Sequence, residues 1–117
     1  KDVFGLLARA SRIREHFKGN TVSLCSIINA KSGLCPEHCR FCAQSAHHRT
    51  DTPVYPLVSA EEIAEKGRIA MESGVHMFSI VTSGTRIETD DEWKTIYRAI
   101  ELLNEMGIKP CASLGML

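Results

Sequence analysis

Three cysteines lie within eight positions of a polar segment of the chain. The segment is SGLCPEHCRFCAQSAHHRT, residues 32–50, and Cys35, Cys39 and Cys42 have the spacing C-x3-C-x2-C. Thiolates are preferred ligands of zinc and of iron–sulfur clusters. Charged and polar residues lie between and beside the thiols, which is not typical of a buried core. The spacing therefore predicts a metal-binding loop.

Two kinds of metal centre are consistent with three clustered thiolates. Structural zinc takes four ligands, usually from C-x2-C pairs, and a nearby histidine (His38, His47 or His48) would complete a Cys3His set. An iron–sulfur cluster is normally closed by four cysteines, so a four-iron cluster held by three would keep one iron open to a small molecule. The x3-then-x2 spacing favours the cluster. We expect His47 and His48 to form hydrogen bonds or face solvent rather than bind metal.

The segments that must position this loop alternate between strand and helix patterns. After an N-terminal helix, β-rich stretches predict strands at 21–28, 75–83 and 108–114. Between them, Ser59 with Glu62 and Thr89 with Glu92 form capping boxes that open two amphipathic helices. Gly74 and Gly107 follow the last apolar positions of these helices and predict their ends.

This order predicts an α/β fold with about three parallel βα units joined by right-handed crossovers. Three parallel strands with helices on one side leave two sheet edges and one face uncovered. We therefore expect residues 1–117 to be the N-terminal part of a larger core domain, an incomplete (β/α) TIM-type barrel or open sheet.

Composition excludes several classes of function. Lys plus Arg and Asp plus Glu both number 14, so no basic surplus predicts nucleic acid or a membrane surface as a partner. No apolar stretch approaches the ~20 residues that span a bilayer, and the N-terminus does not resemble a signal peptide. Five cysteines, an odd number with three close together, favour metal-bound thiolates in a reducing, cytoplasmic setting over a disulfide scaffold.

The motif CPEHCRFC resembles the signature of the radical S-adenosylmethionine enzymes, in which an aromatic residue precedes the last cysteine. The longer segments NAKSGLCPEHCRFCAQSAHHRTDTPVYPLVSAEEI and GIKPCASLG are similar to the biotin synthase family. That resemblance implies a radical S-adenosylmethionine sulfurtransferase that converts dethiobiotin to biotin. It further implies a 4Fe–4S cluster, an auxiliary 2Fe–2S cluster or a variant of it, an electron donor such as flavodoxin or ferredoxin, and a homodimer at full length. The 117 residues alone are expected to be inactive.

The resemblance also implies roles for individual residues. Cys35, Cys39 and Cys42 match the ligands of the radical-generating 4Fe–4S cluster. Phe41 matches an aromatic residue that lies against the adenine of S-adenosylmethionine; packing of the loop is the alternative role. Cys111 matches an auxiliary-cluster cysteine. No side chain is matched to a catalytic acid, base or nucleophile.

The auxiliary site departs from the family pattern at one position. Ser79 occupies the place of a second auxiliary cysteine, and its hydroxyl is much harder to deprotonate than a thiol. Cys25, on the first predicted strand, is not among the familiar ligands. Strand periodicity places Cys25, Ser79 and Cys111 on the face that would line a barrel lumen. We hypothesise that the cluster is rewired, with Cys25 and Cys111 as ligands and Ser79 released.

This hypothesis places Cys25 at about the depth at which the cysteine loop begins; a buried strand thiol is the alternative for this residue. Two further alternatives concern the function of the whole chain. One is another radical enzyme of similar architecture, hydrogenase-maturase-like or methylornithine-synthase-like, that forms no C–S bond. The other is a small, non-enzymatic module that binds zinc or iron.

Overall fold

The computed structural model describes residues 2–116. Over this range the chain forms three α-helices and three β-strands, in the order α1 Val3–Lys18, β1 Cys25–Lys31, α2 Ala60–Glu72, β2 Met77–Thr82, α3 Asp90–Glu105 and β3 Lys109–Ser113. The strands form one parallel sheet in the order β1-β2-β3. The predicted alternation of strand and helix and the parallel pairing are both confirmed.

The two helices that cover the sheet begin and end where the sequence predicts. The Ser59 hydroxyl accepts a hydrogen bond from the Glu62 N–H at 3.1 Å, and the Thr89 hydroxyl accepts one from the Glu92 N–H at 3.2 Å. Such caps stabilise a helix by about 1 kcal/mol each. Beyond the last helical turns, Gly74 and Gly107 adopt φ values of +83° and +79°, which favour glycine.

The hydrophobic core lies between the sheet and helices α2 and α3. Its fully buried large side chains come from both helices and from the central strand: Ile63, Phe78, Ile80, Ile96 and Leu103. Gly67 allows α2 to approach α3, because a Cβ at this position would collide with Cδ2 of Leu103. This core fixes β2 against the helices and so holds the sheet from which the loops project.

The first strand lies further along the chain than the sequence predicts. The prediction placed it at 21–28, whereas β1 spans Cys25–Lys31. Val22 and Leu24 are apolar but remain 78% and 47% exposed. Residues 25–29 pair instead with residues 77–81 of β2. Pairing with the central strand, rather than the local β-propensity of residues 21–24, therefore determines the bounds of β1.

The second face of the sheet has no covering layer within residues 2–116. Ile27 on that face is 65% exposed, and Cys25 and Cys111 are also exposed. Helix α1 contains no buried residue. None of the helices within residues 2–116 has the length and apolar character of a membrane span. The uncovered face thus carries Cys25 and Cys111, the two thiols that the sequence predicts as ligands of an auxiliary centre.

Candidate cysteine-loop site at the carboxyl ends of the strands

The cysteine loop, residues 32–50, starts directly after the carboxyl end of β1. The loop that follows β2 meets it there: the Ser83 N–H donates to the Lys31 carbonyl, and the Ser83 hydroxyl donates to the Gly33 carbonyl, both at 2.8 Å. Active sites of parallel α/β folds are built at this edge of the sheet. The fold thus places the three clustered cysteines where such sites are found.

Backbone hydrogen bonds close the cysteine loop on itself. The Cys35 N–H donates to the Gln44 carbonyl at 2.9 Å, and the Ala46 N–H donates to the Cys35 carbonyl at 2.8 Å. The side-chain carbonyl of Gln44 accepts hydrogen bonds from the Ser32 hydroxyl and the Gly33 N–H. Both ends of the loop are therefore fixed next to β1, and the segment that carries Cys39 and Cys42 projects between them.

The three cysteines of the loop differ in exposure. Cys35 is buried, Cys42 is half-buried and Cys39 is exposed; all are free thiols, as are Cys25 and Cys111. Within residues 2–116, no three Cys, His, Asp or Glu side chains converge closely enough to hold a metal ion. Three free thiols on one loop nevertheless match the donor chemistry of an iron–sulfur cluster. Binding would require the three thiols to converge, as is common where metal binding and folding are coupled.

Two histidines of the loop form hydrogen bonds with backbone carbonyls. The Nε2 atom of His47 lies 3.0 Å from the Pro36 carbonyl, and that of His48 lies 3.0 Å from the Cys39 carbonyl. A carbonyl oxygen only accepts, so each Nε2 carries the proton and donates. The ring of His38 packs beside both, at centroid distances of 4.9 and 5.2 Å. These hydrogen bonds and ring contacts support the cysteine loop.

The strand register determines which residues lie beside Ser79 on the uncovered face. Ser79 pairs with Ile27 of β1 and with Cys111 of β3. Cys25 is the first residue of β1 and pairs with Met77. It therefore lies two residues, roughly 6.6 Å, nearer the amino end of the strand than the Ser79–Cys111 level. The expectation that Cys25 lies at the depth at which the cysteine loop begins is wrong, because that loop leaves the opposite end of β1.

The curated proteins that are similar to this chain are of one kind. No protein-family profile matches the chain. Biotin synthase of Geobacter sulfurreducens is 53% identical over 117 residues, and that of Pelobacter propionicus is 54% identical over 117 residues. Biotin synthase of Thermodesulfovibrio yellowstonii is 47% identical over 115 residues. These matches cover 98–99% of the chain. The chain is similar to the biotin synthases.

The chain spans about 36% of the length of these biotin synthases. The similarity includes the whole cysteine loop and all three strands, since nearly every residue of the chain is aligned. It agrees with the resemblance that the segments around CPEHCRFC and KPCASLG indicate from the sequence alone.

Three polar contacts at this edge of the sheet are not predicted by the sequence. Besides Gln44, they involve Glu37, whose carboxylate accepts from the Thr85 hydroxyl at 2.8 Å, and Lys31, whose ammonium lies 2.7 Å from Glu92. The PE pair inside the cysteine motif was the available signal for Glu37. The partners of Glu37 and Lys31 are 48 and 61 positions away, so the sequence alone does not reveal these pairs.

Glu92 fastens the start of α3 to the end of β1. Its carboxylate contacts the Lys31 ammonium at 2.7 Å and accepts from the Glu88 N–H at 3.1 Å. Burial raises the pKa of Glu92, but hydrogen bonds from Lys31 and from backbone N–H groups, with the positive charge of Lys31, lower the pKa below its ordinary value. The folded state therefore favours the ionised carboxylate.

A lowered pKa in the folded state implies stability that is present above the ordinary titration range and lost as the pH falls through the folded value. We expect Glu92→Gln to lower the free energy of unfolding by about 1 kcal/mol at pH 7. The difference from the wild type should be smaller at about pH 3, because the wild-type carboxyl begins to take up its proton once the pH falls below the ordinary range of a Glu carboxyl. Urea unfolding of the natural full-length protein at both pH values measures this, with the exposed Glu105→Gln as the control. An equal difference at both pH values would contradict the assignment.

Proposed function

We propose that this chain is part of a biotin synthase, a radical S-adenosylmethionine sulfurtransferase that converts dethiobiotin to biotin. One observation carries the proposal: a C-x3-C-x2-C loop at the carboxyl end of β1, in a chain 47–54% identical to proteins named biotin synthase over nearly its whole length. The position of the loop in the fold and the free state of its thiols support the same function.

Cys35, Cys39 and Cys42 would hold the 4Fe–4S cluster of this enzyme. When bound, such a cluster supplies the electron that cleaves S-adenosylmethionine reductively. The chain supplies position: Cys35 is anchored by two backbone hydrogen bonds beside β1, while Cys39 and Cys42 are joined by a turn in which the Cys42 N–H donates to the Cys39 carbonyl at 3.1 Å. This turn keeps the backbones of Cys39 and Cys42 close together before binding.

Phe41 is the residue we propose to cover the adenine of S-adenosylmethionine. Its ring is fully exposed, between Arg40 and Cys42. An exposed aromatic ring on a polar loop provides an apolar surface on which a nucleobase stacks, and base–aromatic stacking contributes ~1–3 kcal/mol. Covering the ring with the cofactor would also remove water from the reaction centre.

For the auxiliary cluster we propose Cys111 as a ligand, with Cys25 as the second thiolate and Ser79 as the position it replaces. All three lie on the uncovered face of the sheet. Cys111 and Cys25 are exposed there and free to bind metal. The register favours Cys111, since it lies beside Ser79 while Cys25 is paired one level away. The cluster type, 2Fe–2S or a variant, belongs to the same proposal.

We further infer that residues 1–117 form the N-terminal part of the radical core domain, an incomplete TIM-type barrel. Its support is the three-stranded parallel sheet with helices on one face and an uncovered second face. The rest of the proposal follows from the family: an electron donor such as flavodoxin or ferredoxin, a homodimer, and a reducing cytoplasmic compartment suited to free thiols.

One observation favours a second candidate. Ser79 stands where the familiar auxiliary centre has a cysteine, which suits a radical S-adenosylmethionine enzyme that forms no C–S bond, of the hydrogenase-maturase-like or methylornithine-synthase-like kind. Cys111, on the next strand, favours biotin synthase instead. The two candidates share the cysteine loop and differ in whether a second cluster donates sulfur.

The natural full-length protein, purified and reconstituted without oxygen, distinguishes these candidates. We expect iron and sulfide in excess of one 4Fe–4S cluster per chain, and biotin from dethiobiotin when S-adenosylmethionine and reductant are supplied. S-adenosylmethionine cleavage without biotin, and with iron for one cluster only, would support the second candidate. Zinc without sulfide would overturn both and indicate a simple metal-binding module.

A further inference from the structure

Glu37, between the first two cysteines of the loop, is contacted from two directions. Its backbone carbonyl accepts from the Ser45 hydroxyl at 2.6 Å, and its carboxylate accepts from the Thr85 hydroxyl at 2.8 Å. Ser45 is buried, and its hydroxyl also accepts from the His47 N–H at 3.2 Å. The segment between Cys35 and Cys39 is thus tied both to the far side of its own loop and to the loop after β2.

Thr85 joins a third segment to this contact. Its backbone carbonyl accepts from the Met116 N–H at 2.8 Å, in the segment that follows β3. Gly115 lies so close to the Thr85 backbone that a Cβ would collide with it, and its φ of +83° also favours glycine. Thr85 therefore connects the segments after all three strands at one point above the sheet.

We propose that Thr85 and Glu37 are positioning residues that restrict the segment between Cys35 and Cys39, so that this part of the loop loses less conformational freedom when the three thiols close around the cluster. The inference rests on the proposed function, in which these cysteines bind iron. Cys39 is exposed, so without a tether the segment from Cys35 to Cys39 would lose conformational freedom on binding. A segment already held by Thr85 loses less, which strengthens retention of the cluster.

The contact joins a neutral hydroxyl donor to a carboxylate, which is the stronger class of hydrogen bond. Both residues lie outside the set of proposed ligands, so removing the contact leaves every thiol in place. The expected consequence is faster loss of iron from a protein whose helices and sheet are unchanged. A contact that only stabilises an exposed loop would instead leave the rate of iron loss unaltered.

The test uses the natural full-length protein, reconstituted anaerobically and then exposed to an iron chelator. Thr85→Val keeps the shape of the side chain and removes the hydroxyl donor, whereas Thr85→Ser keeps the donor. We expect Thr85→Val to lose iron about three- to tenfold faster than wild type, because solvent exposure of the contact reduces this charge-assisted hydrogen bond to ordinary strength, and to change the electron paramagnetic resonance spectrum of the reduced cluster. Thr85→Ser should restore slow loss.

Two further variants complete the test. Thr95→Val removes a similar hydroxyl, which donates to the Asp91 carbonyl at 2.9 Å on α3, far along the chain from the cysteines, and should behave as wild type. Glu37→Ala removes the same contact from its other side and should match Thr85→Val, with no further acceleration in the double variant. If Thr85→Val loses its circular dichroism signal, Glu37→Ala decides the question alone.

The outcomes of this test distinguish failure of the positioning role from failure of the proposed function. Wild-type rates of iron loss in Thr85→Val or Glu37→Ala, or independent effects that multiply in the double variant, would overturn the positioning role while leaving the proposed function intact. A wild-type protein that binds no iron and sulfide would overturn the proposed function itself.

Discussion

Serine at Cys35, Cys39 or Cys42 should abolish the proposed 4Fe–4S cluster and, with it, the proposed cleavage of S-adenosylmethionine. Each substitution replaces a thiolate by a hydroxyl that is far harder to deprotonate, and three protein ligands are already one fewer than such clusters usually have. The backbone hydrogen bonds that close the loop through Cys35 do not involve the sulfur, so the fold should survive. Iron and sulfide content, visible absorption and circular dichroism together measure the outcome.

The matched control for these variants is Cys111→Ser. Cys111 lies on β3, on the uncovered face of the sheet and outside the cysteine loop. It should retain the absorption of the radical cluster and the cleavage of S-adenosylmethionine. A triple variant of the loop with wild-type iron, sulfide and absorption would refute the assignment of the loop. If the wild type binds zinc in place of iron and the same triple variant loses that zinc, the loop is a zinc site instead. That is the alternative that the cysteine spacing favours less.

The helices of this chain could be predicted almost to the residue because their signals are local. Ser59 and Thr89 each bond the N–H three positions later, and Gly74 and Gly107 follow the last turns with positive φ. A capping hydrogen bond spans one turn, so the sequence contains both partners side by side. The alternating faces of β2 are equally local: Phe78 and Ile80 are buried against the helices, as their period of two predicts.

The first strand was misplaced because its bounds depend on a partner elsewhere in the chain. Val22 has high β-propensity and Leu24 is apolar, but β2 begins at Met77 and pairs first with Cys25. The polar end of β1 is held by pairing with Val81 and Thr82 and by the bond from the Ser83 N–H to Lys31. Propensity in strands reflects such neighbours more than the residue itself.

The candidate site likewise combines features that are local in the sequence with features that depend on distant residues. The spacing of Cys35, Cys39 and Cys42 is a local pattern, so the prediction of a metal-binding loop rests on eight neighbouring residues. The contact between Glu37 and Thr85 depends on two loops that meet at the carboxyl ends of the strands, and no pattern in either loop predicts it. Strand register is also a long-range property, and for that reason the depth of Cys25 relative to Ser79 could not be obtained by counting along single strands.

Loss of Cys111 should separate the two halves of the proposed reaction. In the natural full-length protein, Cys111→Ala should leave S-adenosylmethionine cleavage intact, remove the auxiliary iron and stop formation of biotin. Cys111 lies directly beside Ser79 in the sheet, roughly 4.8 Å away between strands, at the position matched to an auxiliary ligand. Iron content, sulfide content and biotin yield measure the effect. Normal biotin formation by Cys111→Ala would remove this residue from the auxiliary centre.

Cys25 tests whether that centre is rewired around Ser79. If Cys25 supplies the second thiolate, Cys25→Ser should also keep S-adenosylmethionine cleavage and lose auxiliary iron and biotin. Ser79→Cys in the same protein should then restore part of both, because it returns a thiol to the place beside Cys111. The strand register also indicates what the opposite outcome for Cys25 would mean. Cys25 pairs with Met77, one level nearer the amino ends of the strands, so unchanged iron and biotin in Cys25→Ala would make it a strand residue whose thiol binds nothing.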